Sequence, residues 1–142
     1  MKAYADPSFI VSLYSLDANS ASAARTMQAS SAQPLITTFG ELEVVNAMGL
    51  RIFRKEVSPA QAQSSLLAFE NDLRNGIFQL RELADSILER GRQLSRQTAA
   101  KLGTRTSDLL HVAAALVLGV DYFYSFDLQQ RKLAQAMRLK LN

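Results

Sequence analysis

The stretch GTRTSDLLHVAAALVLGVDYFYSFD, residues 103–127, leaves this chain few architectures to choose from. Its run of alanine, leucine and valine reads as a helix buried over most of its surface. Gly119 stops that helix, and a short, continuously apolar strand follows. Each of these two elements carries an acid at a critical end. Asp108 stands beside Thr106 and Ser107, where the helix begins, and Asp127 follows the apolar run 122–126, where the strand finishes. Acids at the edges of the two most hydrophobic elements of a chain invite the question of which other acids reach them.

The remaining elements alternate strand with helix. A strand at 2–5 is ended by Asp6-Pro7, because proline cannot donate to a ladder and restricts the residue before it. A short apolar helix covers 8–16, and Asp17 is placed as the N-cap of a helix reaching about 30. A second strand spans 34–37. Apolar residues at Leu42, Val45, Met48, Ile52 and Phe53 give 39–53 helical spacing. Ser58-Pro59 is a helix start, with serine as cap and proline in the first turn, for a helix Pro59–Arg74. Asn75-Gly76 closes it, and a third strand follows at 77–80. An amphipathic helix from 83 or 84 to 101 carries Arg90, Arg92 and Arg96 and ends at Gly103. Then come a helix at 106–118, a strand at 121–125, a helix at 128–136 and a last strand at 138–141. This order predicts one α/β domain over residues 1–142, with a mainly parallel sheet covered by helices on both sides.

Composition removes several chemistries. The 142 residues include no cysteine, which excludes disulfides, zinc–thiolate sites and thiol nucleophiles and points to a cytoplasmic home. The longest apolar run, 109–120, is broken by His111 and is too short to span a bilayer, and Asp6 interrupts the N-terminus before any signal-like segment. The net charge of +3 is uneven: residues 1–84 hold 7 Lys/Arg against 8 Asp/Glu, and residues 85–142 hold 9 against 5. A basic half around isolated acids suits a polyanionic partner, although solvated helix faces produce the same pattern.

Ligands of open α/β sheets gather at the carboxyl ends of the strands. Asp6 after the first strand and Asp127 after the fourth occupy that place, and Asp108 at a helix N-terminus can face the same crevice. Glu43, on one helix face with Asn46 and Ala47, is the fourth acid. Carboxylates brought together repel, so such a site holds a proton or recruits a cation. Oxygen ligands, with no cysteine and one histidine, suit Mg²⁺ or Mn²⁺ better than zinc. A metal of that kind polarises a phosphodiester and activates water. Metal-assisted hydrolysis of a polyanion is the reading that the residues support. Ordinary turn and cap roles for the aspartates compete with it.

At this point the chain resembles the PIN-domain family and, within it, the VapC-type toxins of bacterial type II toxin–antitoxin systems. The resemblance rests on YADPSF at 4–9, ELEVVNAM at 41–48, SDLLHVAAAL at 107–116 and FYSFD at 123–127, in the family's order and intervals. It implies a three-layer α/β/α domain and a Mg²⁺- or Mn²⁺-dependent endoribonuclease. Asp6, Glu43, Asp108 and Asp127 would hold the metal directly or through water, and one of them would orient or deprotonate the attacking water. Glu43 fits the family's second acid because Asn-Ala follows at the third and fourth positions; Glu41 is its competitor. Pro7 departs from the small polar residue that many relatives carry after the first acid. RNA as substrate, with tRNA and rRNA as candidate classes, comes only from the resemblance. So do a cognate antitoxin covering the cleft and a homodimer. An apolar groove for the antitoxin is expected between the helices of 8–30 and 39–74.

Among supporting residues, Ser8 and Ser125 are placed to orient a carboxylate or a water, and Arg105 to hold phosphate. His111 is expected to be packed and hydrogen-bonded. Two other function classes stand beside the nuclease. One is a non-catalytic PIN-like module that binds RNA or protein. The other is a phosphotransfer or phosphatase domain, which wants an Asp-x-Asp pair where this chain has Asp6-Pro7-Ser8.

Overall fold

The computed structural model describes residues 1–142. Five short strands form one sheet: β1 (Ala3–Ala5), β2 (Leu35–Thr37), β3 (Gln79–Arg81), β4 (Tyr122–Tyr124) and β5 (Lys140–Leu141). All pairings are parallel and the order is β3-β2-β1-β4-β5, with Tyr4 opposite both Leu35 and Phe123. Between them lie α1 (Pro7–Tyr14), α2 (Ser20–Ala29), α3 (Thr38–Phe53), α4 (Pro59–Arg74), α5 (Asp85–Leu94), α6 (Ala100–Leu102), α7 (Thr106–Val117) and α8 (Leu128–Ala136). No helix is long and apolar enough to cross a membrane.

The period-two alternation of the strands divides the core in two. Tyr4, Leu35 and Phe123 point to one side, where Ile87, Leu94, Val112, the Ala113–Ala115 run and Leu133 pack on them from α5, α7 and α8. Ala3, Ala5, Ile36 and Tyr124 point to the other, against Phe9 and Ile10 of α1, Val44 and Met48 of α3, and Ala62 and Phe69 of α4. The result is the expected three-layer α/β/α arrangement with a parallel sheet. The three buried alanines of α7 let its neighbours α5 and α8 pack close against it.

Several boundaries differ from the sequence-based expectation, each for a local reason. Asp17 does not cap α2, whose first residue is Ser20. Its carboxylate is taken by Arg51 and Ser12 as well as by the N–H of Asn19. Strand β3 begins at Gln79 rather than 77 because the N–H of Ile77 is used to close α4, donating to the carbonyl of Asp72. Strand β5 begins at Lys140 because Arg138, at φ 65°, and the N–H of Leu139 finish α8. The long helix expected up to 101 is present, but it passes through a π-helical turn at Ser95–Ala99 between α5 and α6. Gly103 ends it at φ 67°, a left-handed conformation that costs glycine nothing, and Gly119 does the same between α7 and β4.

Candidate active site

In the sheet order, β2 and β3 are added on one side of β1 and β4 and β5 on the other. The strands' carboxyl ends at such a reversal leave a crevice between diverging connections. A cavity of about 460 Å³ opens there, bordered by Asp6, Ser8, Glu43, Asn46 and Asp127, with Asp17, Arg51 and Arg54 farther along its wall.

Asp6 leaves β1 in extended conformation, as a residue before proline must, and caps α1. It is fully buried. Its Oδ1 accepts from the Phe9 N–H at 2.9 Å and the Ser8 hydroxyl at 2.7 Å, and its Oδ2 from the Ser125 hydroxyl at 2.7 Å. Burial raises the Asp6 pKa above the ordinary aspartate value, against the opposing pull of Ser125, Phe9, the nearby His111 and Ser8. The two serines also bind the β4–α8 connection. Ser8 Oγ accepts from the Phe126 N–H and Ser125 Oγ from the Asp127 N–H, each at 3.0 Å. Ser8 and Ser125 are thus braces between the first acid and the last.

Asp127 caps α8, its Oδ1 accepting from the N–H groups of Gln129 and Gln130 at 2.9 and 3.0 Å. Asp108 is buried in the first turn of α7, where its Oδ2 accepts from the Arg105 N–H at 3.0 Å. Its Oδ1 is buried and has no hydrogen-bond partner. Three acids therefore sit at the positive ends of three helices, where the helix dipole favours negative charge. Glu43, one turn farther into α3, places its Oε1 2.5 Å from Nε2 of His111. Glu41 is absent from the cavity wall, which Glu43 shares with Asn46 and Ala47.

The structure brings Asp6, Glu43 and Asp127 to one cavity; Asp108 is not part of its wall. No three Asp, Glu or His side chains converge closely enough to hold one ion among them. The donor chemistry nonetheless fits a hard cation. Mg²⁺ is commonly held by one or two carboxylates and keeps several waters, so it needs no three-acid cage. A buried carboxylate oxygen without a donor, as in Asp108, is an atom that a cation or a proton would satisfy.

Arg105 is not placed as a phosphate ligand of this cavity. Its side chain is 72 % exposed, lies outside the wall, and has its Nε 3.7 Å from Asp108 Oδ2. The cations that do border the cavity are Arg51 and Arg54, which the sequence reading passed over. Their signal was present: the face carrying Glu43, Asn46 and Ala47 runs on at helical spacing through Leu50 and Arg51 to Arg54. Arg51 is already engaged by Asp17 and Ser15, at 2.8 and 2.9 Å. Arg54 is exposed and has no acid partner.

An apolar groove runs between α3 and α4, lined by Val45, Met48, Ile52, Leu66 and Leu67. It is not the groove expected between the helices of 8–30 and those of 39–74, because no residue of 8–30 lines it.

At the level of sequence, no family model matches the chain and no curated protein matches it. Solved structures do. The chain is similar to VapC20 of Mycobacterium tuberculosis, described as a sarcin–ricin loop cleaving toxin. The TM-score is 0.71 at 14% identity, over 92% of this chain and 93% of that one. It is similar to VapBC2 of Rickettsia felis, bound to a DNA fragment from its promoter, with a TM-score of 0.69 and 15% identity over 100% and 98% of the two chains. VapBC-1 of nontypeable Haemophilus influenzae gives 0.65 and 12% over 100% and 97%. At these identities the likeness is one of fold: a five-stranded parallel sheet between helical layers, the PIN-like fold of VapC proteins.

Proposed function

We propose that this chain is a Mg²⁺- or Mn²⁺-dependent endoribonuclease, the toxin of a toxin–antitoxin pair, with Asp6, Glu43, Asp108 and Asp127 as its metal-holding acids. The observation that carries the reading is the meeting of Asp6, Glu43 and Asp127 at one cavity, at the reversal point of the sheet, with arginines along the same wall. The VapC fold supports it, as does the activity described for the mycobacterial relative. The VapBC assemblies among the similar structures support a protein partner, for which the α3–α4 groove offers an apolar seat. A second copy of the chain belongs to the same reading.

A divalent metal, when bound, supplies Lewis-acid stabilisation of a phosphoryl oxygen and a more acidic water. The chain's own part is to position. Ser8, Ser125 and the Phe9 N–H fix both oxygens of Asp6, and the α8 N-terminus fixes Asp127. Arg54 is free to hold a backbone phosphate beside them.

One observation favours the alternative, a binding module that does not cut: no three acids are gathered for one ion. A cleavage assay separates the two readings. Purified protein freed of any partner is incubated with total cellular RNA in Mg²⁺, in Mn²⁺ and in EDTA, beside the Asp108→Asn variant. Metal-dependent fragments are expected, with activity lower by more than about 100-fold in the variant, beyond the loss typical of a merely supporting residue. A melting curve of the metal-free variant checks that it is folded, since the asparagine oxygen can still accept the Arg105 N–H. Intact RNA in every lane, from folded protein that binds metal, would favour the binding module or a nuclease of very narrow specificity.

A further inference from the structure

His111 is the chain's only histidine and is buried against the rings of Tyr4 and Phe39, whose centroids lie 5.9 and 5.4 Å from its own. Both of its nitrogens are engaged. Nδ1 is 2.7 Å from the Tyr4 hydroxyl and Nε2 is 2.5 Å from Glu43 Oε1. The Tyr4 hydroxyl is in turn 3.3 Å from Thr37 Oγ1, which accepts the Gly40 N–H at 3.1 Å. Four side chains from β1, β2, α3 and α7 therefore form one continuous buried line that ends at the cavity.

The donors and acceptors of this line are consistent in one direction. Thr37 Oγ1 already accepts from Gly40, so its own proton is free for Tyr4. The Tyr4 hydroxyl then donates to Nδ1, and Nε2–H donates to the Glu43 carboxylate. Run the other way, the Thr37 hydroxyl would accept twice and find no acceptor for its proton. The line therefore calls for a proton on Nε2, pointed at Glu43.

Glu43 is the one candidate acid not held by a helix N-terminus. Its side chain is 31 % exposed at the cavity, while the ring that grips it is wholly buried. A glutamate on the face of a helix has three soft torsions, and fixing Oε1 from behind limits where Oε2 can go. Ligand-orienting contacts of this kind most often have a carboxylate holding a histidine; here the histidine holds the carboxylate.

We infer that His111 is the positioning residue of Glu43, aiming its free oxygen into the cavity through the Thr37–Tyr4–His111–Glu43 line. The inference rests on the reading of Glu43 as a metal-holding acid given above.

The test uses the full chain and Mn²⁺ alone as ligand, with affinity read from the free-ion electron paramagnetic resonance signal. Imidazole ¹⁵N shifts are recorded on metal-free protein, where a single histidine gives an unambiguous spectrum. Three variants at the acid and the ring are compared: Glu43→Gln, His111→Asn and His111→Gln, whose longer amide can still donate toward Glu43. In the wild type the proton should reside on Nε2, and that signal should move in Glu43→Gln. His111→Asn should weaken Mn²⁺ by about 10–100-fold, the range for ligand-orienting contacts, and His111→Gln should recover part of the loss. Tyr4→Phe keeps the ring stacked on Phe123 at 5.6 Å and serves if the histidine variants fail to fold. It should move the Nδ1 signal, which loses its hydroxyl partner, and weaken Mn²⁺ several-fold.

If Glu43→Gln loses Mn²⁺ while folded His111→Asn binds it like the wild type, the positioning role falls and the site stands. Should the histidine variants not fold, unchanged ¹⁵N shifts and affinity in Tyr4→Phe overturn it equally. Unchanged affinity in Glu43→Gln overturns the site itself, and the positioning role with it.

Discussion

Ser125 illustrates how much one hydroxyl carries at this site. It donates to Asp6 and accepts from the Asp127 N–H, so one small side chain joins the first acid to the last. Serine-to-alanine replacement leaves a buried carboxylate short of a donor and a main-chain N–H without an acceptor, at a cost of about 1–3 kcal/mol. Urea denaturation of Ser125→Ala should show that loss, with cleavage reduced further than the stability change alone predicts; a variant as active as wild type would reduce Ser125 to a turn residue. At this scale the acids were legible in the sequence because strand ends and helix starts are marked by proline, glycine and hydroxyl residues. Asp6-Pro7 and Ser125-Phe126-Asp127 announce themselves. The engagement of both His111 nitrogens was not legible, because Tyr4, Glu43 and His111 are brought together only by the fold. Nor was the outward course of Arg105: adjacency to Asp108 in sequence does not say which side of a helix start a long side chain takes.

Between elements, the tie that most affects the cavity wall is Arg51 of α3 to Asp17 in the α1–α2 turn, 2.8 Å apart with both side chains mostly buried. Burial alone would raise the Asp17 pKa; the Arg51 hydrogen bond, with those from Ser12 and the Asn19 N–H, lowers it below 3.8. A carboxyl depressed by folding stabilises the fold above its unfolded pKa and ceases to as pH falls through its folded one. Arg51→Met should therefore cost about 1–3 kcal/mol at pH 7, between the values for exposed and fully buried pairs. The gap from wild type should narrow as the pH is taken well below 3.8, keeping the part due to the Ser15 contact, and a series of urea melts from pH 7 downward would check both. The start of α4 offers a plainer case. Ser58 and Gln61 form a reciprocal capping box at 3.1 and 2.8 Å, so Ser58→Ala should lower stability by about 1 kcal/mol, seen as a fall in Tm. That helix was readable from Ser58-Pro59 alone. The π-helical turn at Ser95–Ala99 was not, since a change of hydrogen-bond register leaves little trace in residue pattern. Asp17 was misplaced because a capping aspartate and an ion-paired one look alike until the partner, 34 residues away, is in position.

Over the whole molecule, the basic excess that suits a polyanion and the arginines at the cavity lie in different parts of the chain. The excess sits in residues 85–142, whereas the arginines bordering the cavity are Arg51 in the last turn of α3 and Arg54 just after it. RNA affinity should therefore depend more on Arg54 than on Arg90, Arg92 or Arg96. In the Asp108→Asn background, where RNA stays whole, Arg54→Ala should weaken binding several-fold and reduce the salt slope by about 1, as expected for one lost phosphate contact. Fluorescence anisotropy from 50 to 200 mM salt reads both, and an unchanged slope would remove Arg54 from the RNA path. The layered architecture was legible, because alternating strands and helices with apolar strands permit little but a covered parallel sheet, whereas the strand order β3-β2-β1-β4-β5 was not. That topology also bears on how the protein is made. Ser125 stands 119 residues after Asp6, and β4, which pairs with β1, comes from the last quarter of the chain. As the polypeptide leaves the ribosome, Asp6 emerges almost at once but lacks the strand and hydroxyl that seat it until nearly everything else has been translated. The pocket that Asp6 borders is therefore among the last parts of the molecule to be assembled, whatever the order in which its walls are made.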